Sequence, residues 1–294
     1  MPGKIPEQPE LPLPAPEGNG PANSPASGNG ETHVQAEDVP AEVVHRPFAP
    51  GQIDLLLHRR VNTNFLEYAS YVIRDRAIPN IADGLKPVQR RILWALRTMD
   101  DGRFIKVLSV QGETSKYHPH GDASIGDAIV VITNKRYLLE GQGNFGNLYT
   151  GNPAAAPRYI ECRLTELAKS EIFNDELTSF VPTYDGRKDE PVTLPSKIPL
   201  TLMLGAEGIA VGLSCRILPH NFIELLQAQV AILKGENFKC LPDFLTGGLM
   251  DAREYNDGRG SIKVRAKIKA KDESTVVIRE IPPSTTTESL IASI

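Results

Sequence analysis

Apolar positions recur at helical spacing in two stretches of the chain. In GLKPVQRRILWALRTM, residues 84–99, Val88, Ile92, Leu93 and Leu96 make one stripe. Arg90, Trp94 and Arg97 fall on the other side at i, i+4 and i+7. Pro87 suits a first helical turn, where its missing N–H costs nothing. DDG, residues 100–102, ends the pattern. In GDASIGDAIVVIT, residues 121–133, Ile125, Ile129 and Ile132 repeat in the same way, with Asp122 as the expected N-cap. Two helices around a turn, with basic residues off the apolar stripe, fit a helix-turn-helix; an ordinary helical pair in a mixed domain fits the same pattern. Upstream, IDLLLHRRVNTNFLEYASYVI, residues 53–73, carries Leu55, Leu56, Phe65, Leu66, Tyr68 and Tyr71 and predicts a helical arm over 51–73.

Beyond residue 181 the texture changes. LPSKIPLTLMLGAEGIAVGLSCRILPHN, residues 194–221, is apolar and punctuated by Gly and Pro, which predicts short buried strands and turns. GSIKVRAKIKA (260–270) and STVVIREIPP (274–283) predict a β-pair. In STTTESLIASI, Thr285 and Glu288 form a candidate capping box that opens a helix. Ile294 closes that helix after about nine residues, too short to stand alone, so the domain is expected to be incomplete here. No repeat at solenoid or propeller periods is present.

Composition separates a tail from the rest. Residues 1–50 hold 11 of the 24 prolines, and seven acidic side chains against two basic ones, a net −5. Such a segment cannot bury enough apolar surface to offset its ordering entropy, and a disordered tail is expected. The remainder holds 29 acidic and 30 basic residues, a net +1. Residues 74–136 carry eleven Lys or Arg against seven Asp or Glu, a local +4 that suits an anionic partner such as nucleic acid. A solvated mixed-charge surface fits that excess equally well. No run of eighteen apolar residues and no apolar leader occurs, so neither a membrane span nor a secretory signal is expected. Cys162, Cys215 and Cys240 have no CxxC spacing, as in a reduced cytoplasmic protein.

Two motifs invite chemistry that their context does not support. GQGNFG, residues 141–146, matches G-x-G-x-x-G, which needs a strand before it and a helix after it. RYLLE could supply the strand, but Gly151 and Pro153 in the following NLYTGNPAAAP forbid an opening helix. The glycines are better suited to tight turns. HPHGD, residues 118–122, matches the start of an H-x-H-x-D zinc site. The remaining histidines, His33, His45, His58 and His220, offer no second ligand cluster. His118, His120 and the N–H groups opening a helix serve a phosphate oxygen better, with Lys116 adding positive charge.

Taken in order, YVIRDRAIPNIADGLKPVQRRILWAL, KYHPHGDASIGDAI, GQGNFGN, AAAPRYIECRL, EGIAVG and ILPHN resemble the A-type subunits of bacterial type IIA DNA topoisomerases, those of gyrase and topoisomerase IV. The resemblance runs from about residue 55 to the end. Gln89 stands where gyrase usually has histidine and looks more like topoisomerase IV. The resemblance implies an α+β fold: a winged-helix breakage-reunion domain over 74–190, then an incomplete α/β tower domain over 191–294. It implies that the helix near Asp122 lies against DNA. It also implies double-stranded DNA as substrate, a homodimer within a heterotetramer, and a partner of the B type that carries the ATPase and TOPRIM domains. Mg²⁺ would be held mainly by that partner, which would also use ATP, and the complex would work on the cytoplasmic nucleoid.

The same resemblance makes Tyr159 the nucleophile, with Arg158, Arg76, His118 and His120 around the scissile phosphate. A free tyrosine has a pKa of about 10, so its phenol needs cations near the oxygen and near the phosphate. Arg158 can set a guanidinium against phosphate oxygens. Lys86, Gln89, Arg90, Arg91 and Lys116 are candidate DNA contacts, and Ile209 matches the family's intercalating wedge. No D-x-D occurs in the chain, as expected if the partner supplies the metal's carboxylates and no metal site lies here. Ala123 stands where fluoroquinolone-susceptible relatives usually have serine, with Asp127 at the accompanying acidic position. The alternative reading is a winged-helix DNA-binding module that performs no strand transfer.

Overall fold

A computed structural model describes residues 56–294. The tail expected over 1–50 lies outside those residues. Helix α1, Leu56–Val72, occupies the predicted arm, and the helical path continues through a π-turn, Ile73–Ala77. Helix α2, Pro87–Met99, buries Ile92, Leu93 and Leu96 as the pattern predicts. Gln89 Oε1 accepts the Lys86 N–H at 3.0 Å and so satisfies one donor at the helix start.

Arg90 departs from the expected exposed face. It is buried, and its guanidinium forks onto Asp83, with Nε to Oδ2 at 2.7 Å and Nη2 to Oδ1 at 3.0 Å. Asp83 lies in the segment just before the helix start, and its carboxylate gives the buried charge a partner. Asp83 also accepts the N–H groups of Leu85 and Leu194, each at 3.0 Å.

The short strand β1 (Ile105–Lys106) leads into helix α3, Val107–Thr114, which the hydrophobic pattern did not reveal. Its buried positions, Val107, Val110, Gln111 and Thr114, do have helical spacing, but two of them are polar. Gln111 Nε2 donates to Asp122 O at 2.8 Å, which ties α3 to helix α4, Asp122–Asn134. A Cβ on Gly126 would overlap Gln111 Nε2, so this glycine leaves room for the amide that ties the two helices. The element preceding α4 is thus α3 rather than α2, and all three helices pack together. The N-cap of α4 is Gly121, with extended backbone (φ −62°, ψ 148°), and Asp122 is the first helical residue instead of the expected cap.

Strands β2 (Leu139–Gln142) and β3 (Glu161–Leu164) complete an antiparallel sheet in the order β1-β3-β2. Cys162 faces both Ile105 and Gly141 across the central strand. Helices and sheet share one core, which includes Ile92, Leu96, Val107, Ile125, Ile129, Leu139 and Ile160. Each fully buried Leu or Ile contributes about 1.5–3 kcal/mol. After β2 no helix begins until α5, Glu166–Glu171, so GQGNFG does not open one. Gly143 (φ 103°) and Gly146 (φ 83°) instead turn the chain back toward β3.

The rest of the chain is built from two-stranded antiparallel pairs and short helices. Strands β4 (Phe180–Pro182) and β5 (Asp189–Pro191) form a hairpin. Leu200–Leu204 forms helix α6, where strands were expected, and buries Leu200, Met203 and Leu204. Strands β6 (Ala206–Ile209) and β7 (Ser214–Ile217) form the next hairpin, followed by helix α7, Phe222–Lys234, capped by Asn221. Lys135, at the end of α4, donates to Leu204 O and Gly205 O at 2.9 Å each, and so joins α4 to α6.

The expected β-pair at 260–283 is divided between two partners. Strand β9 (Lys263–Arg265) pairs with β8 (Leu249–Asp251), and β10 (Lys267–Ala270) pairs with β11 (Val276–Glu280). The last helix, α8, covers Thr287–Ser293. Its box is Thr286 with Ser289 rather than Thr285 with Glu288: Thr286 Oγ1 accepts the Ser289 N–H at 3.2 Å, and Ser289 Oγ accepts the Thr286 N–H at 3.0 Å. Thr285 is occupied one step earlier, its N–H closing a turn onto Pro282 O.

Candidate active site

The loop that carries Tyr159 is pinned from both sides. The Tyr159 N–H bonds Ala156 O at 2.9 Å, closing a turn, while Pro157 O and Ile160 O accept the N–H groups of Leu108 and Val107 on the first turn of α3. Ile160 is buried in the core, so the preceding side chain is turned outward. Tyr159 is accordingly 65% exposed, two residues ahead of the central strand. The Arg158 guanidinium lies 4.8 Å from the Tyr159 ring centroid, a cation–π contact on the ring rather than a bond to the phenol oxygen.

A second cluster forms around HPHGD. His118 and His120 stack edge to face with centroids 4.7 Å apart. Tyr71, near the end of α1, has its hydroxyl 2.7 Å from His120 Nε2. Arg91 Nη1 donates to His118 Nδ1 at 2.9 Å, and the same guanidinium grips Glu190 at 2.5 and 2.7 Å. Arg76, exposed on the π-turn, acts on the same imidazole through its charge. Burial, together with Arg91, His120 and Arg76, lowers the His118 pKa to about 4. His118 is therefore a neutral ring at neutral pH, able to hydrogen-bond a phosphate without neutralising it. Arg76 and Arg91 give this cluster two fixed positive charges.

The structure thus gathers Arg76, His118, His120 and Arg91, and separately Arg158 with Tyr159. Among the described residues no hydrogen bond, ion pair or ring contact joins the two groups. Tyr71 and Glu190 were not evident from the sequence. They lie 49 residues from His120 and 99 residues from Arg91, with no local pattern to mark them.

Other candidates divide by what their polar atoms already hold. Arg90 is committed to Asp83 and is too buried for a phosphate contact. Lys86 is half-buried at the start of α2, and Gln89 accepts its N–H. Lys116 is exposed and pairs with Glu113. Ala123 and Asp127 are exposed one turn apart on α4. Ile209 is 78% exposed at the end of β6. Beside it, a Cβ on Gly208 would overlap Ala77 O, which seats the hairpin directly against the π-turn.

Among the described residues no group of three His, Cys, Asp or Glu side chains is placed to hold a metal ion, and no helix is long and apolar enough to cross a membrane.

A family model that describes the A-type subunits of DNA gyrase and topoisomerase IV matches residues 76–294. The chain is 58% identical over 231 residues to the DNA topoisomerase 4 protein of this type from Borreliella burgdorferi, covering 79% of this chain and 37% of that protein. It is 40% identical over 269 residues to its counterpart in the topoisomerase 4 of Neisseria gonorrhoeae, covering 82% and 35%. It is 40% identical over 259 residues to the A-type protein of Deinococcus deserti DNA gyrase, covering 80% and 32%. The chain spans about a third of the length of these relatives. The helices, the exposed tyrosine and the histidine–arginine cluster accordingly sit in a chain that belongs to the family of DNA gyrase and topoisomerase IV A-type subunits.

Proposed function

We propose that the chain is the DNA-cleaving and rejoining part of a type IIA topoisomerase, with Tyr159 as nucleophile. The carrying observation is the exposed phenol on a turn pinned to the core, with Arg158 stacked on its ring. The phenol loses its proton, its oxygen forms a bond to a backbone phosphorus, and the bond from phosphorus to the 3′ oxygen breaks. The leaving oxygen takes up a proton. The product is a 5′-phosphotyrosyl link and a free 3′ hydroxyl, and the reverse attack reseals the strand without external energy. Arg158 and Arg76 supply positive charge to the phosphate oxygens, and His118 and His120 supply hydrogen bonds. Lys86 and Lys116 contribute to DNA binding through charge, Arg91 acts through His118, and Ile209 wedges between base steps.

Three packed helices and a three-stranded antiparallel sheet support a winged-helix domain over 74–190, with the hairpins beyond it as the start of a tower domain over 191–294. A B-type subunit would supply the ATPase and most of the ligands for Mg²⁺, which offsets phosphate charge when bound. Two copies of this chain and two of that partner would act on duplex DNA at the nucleoid. Incubation of the chain with a B-type subunit, Mg²⁺ and DNA, followed by denaturant trapping and peptide mapping, tests the reading. An adduct on Tyr159 that disappears in Tyr159→Phe is expected. DNA binding without any adduct would leave a non-catalytic winged-helix module, and cutting by the chain and Mg²⁺ alone would refute the need for a partner.

A further inference from the structure

We propose that Glu190 is a positioning residue for strand cleavage: its carboxylate holds the Arg91 guanidinium so that Arg91 fixes His118 in the tautomer with Nδ1 bare and the proton on Nε2. The inference rests on the strand-cleavage reading above. Guanidinium nitrogens only donate, so the 2.9 Å contact from Arg91 Nη1 requires a lone pair on His118 Nδ1. A neutral imidazole with Nδ1 bare carries its one proton on Nε2. Nε2 has no protein partner among the described residues and is not a sealed-in unpaired atom, so it is the nitrogen left for a phosphate oxygen.

Glu190 makes this arrangement rigid. It takes Arg91 Nε at 2.5 Å and Nη2 at 2.7 Å, which leaves Nη1 of the same planar group aimed at His118. The carboxylate is itself fixed by the β4–β5 hairpin, where Glu190 pairs with Val181. Both side chains are largely covered, at 17% exposure for Arg91 and 12% for Glu190. The groups facing His118 are Arg91 from α2, His120 from its own loop and Arg76 from the π-turn, with Tyr71 behind His120. Burial and the guanidinium charges of Arg91 and Arg76 keep the ring uncharged, so a tautomer preference has a meaning at neutral pH.

Imidazole ¹⁵N NMR on the 294-residue chain reads the tautomer without any need for cleavage. The wild type is expected to show a bare Nδ1 and a protonated Nε2 on His118 at pH 7. Glu190→Gln, which cannot hold the guanidinium charge, should give averaged nitrogen shifts. Arg91→Lys should do the same, because one ammonium cannot span both partners. With B-type subunit, Mg²⁺ and saturating DNA, Glu190→Gln should slow adduct formation about tenfold at unchanged DNA affinity, and Glu190→Asp should recover part of the rate. A protonated Nδ1 in the wild type, or an unaltered tautomer in Glu190→Gln, would overturn the proposal. An altered tautomer with an unaltered cleavage rate would overturn its role in cleavage. Failure of wild type to form any adduct would instead overturn the strand-cleavage reading, with the NMR result still deciding the tautomer.

Discussion

Arg90 and Asp83 form a forked ion pair inside the protein, with side chains only 8% and 0% exposed. The carboxylate also receives two backbone N–H groups, from Leu85 and Leu194. One buried charge therefore links α2, the loop before it and the segment entering the second half of the chain. Breaking such a pair from one side leaves the other charge buried and uncompensated, at about 3–5 kcal/mol. Asp83→Ala is expected to cost that amount in denaturant unfolding. Arg90→Ala should fall at the low end, because Asp83 keeps its two backbone donors. The same Arg90 variant, if folded, should leave the salt dependence of DNA binding unchanged, whereas Lys86→Ala should reduce the slope of log affinity against log salt by about one.

Ile209 and Gly208 are neighbours with opposite expected behaviour. Ile209 projects from the end of β6 into solvent, so Ile209→Ala should alter stability by no more than about 0.5 kcal/mol. A wedge that no longer enters the base stack should lower DNA bending, measured by energy transfer between end-labelled duplex arms. Gly208→Ala should do the reverse at the level of the fold, since its Cβ would overlap Ala77 O. A loss of at least about 1 kcal/mol is expected, with bending reduced only through displacement of the hairpin. Equal bending by wild type and Ile209→Ala would sink the wedge assignment.

The sequence was most legible where burial and apolarity coincide. Helices α2 and α4 follow their stripes of Ile and Leu almost residue for residue. Helix α3 was hidden because Gln111 and Thr114 are buried through polar side chains, and hydrophobicity is blind to such positions. Arg90 was misplaced for the converse reason: its charge marks it as a surface residue, and only the folded loop brings Asp83 to meet it. The site shows the same division. Tyr159, Arg158 and the histidines lie in short motifs that could be picked out along the chain. Tyr71 and Glu190 act on those motifs through contacts made only after distant segments meet, so no spacing could announce them.

Ala123 and Asp127 lie one turn apart on the exposed side of α4. If the resemblance holds at this site, the two positions would face the water shell of a fluoroquinolone-bound metal, to which Ala123 brings no hydroxyl. Ala123→Ser is expected to sensitise cleavage complexes formed with a B-type subunit to fluoroquinolones. One added hydrogen bond of about 1 kcal/mol corresponds to roughly a fivefold lower drug concentration for half-maximal trapping. Identical dose–response curves for the two proteins would refute the assignment.

His118 should make stability depend on pH in a window set by its own shift. Its pKa is about 4 in the fold against about 6.5 when exposed. Between those values the unfolded chain binds the proton and the folded chain does not, so acidification favours unfolding. Above pH 6.5 both states are neutral and the group contributes no slope. As pH falls from 6.5 to 4, stability should drop by up to about 3 kcal/mol, and below 4 this contribution should level off. His118→Asn retains an acceptor for Arg91 but cannot titrate. The stability advantage of wild type over His118→Asn, measured by urea unfolding, should therefore shrink steadily across that window. Carboxylates held below their usual range, such as Glu113 and Asp251, are common to both proteins and cancel in the difference. A difference that stays constant from about pH 7 to about pH 4 would show that His118 accepts its proton as readily in the fold as in water. Its pKa would then lie near 6.5, so the ring would charge in mild acid, and burial would not be what keeps it neutral.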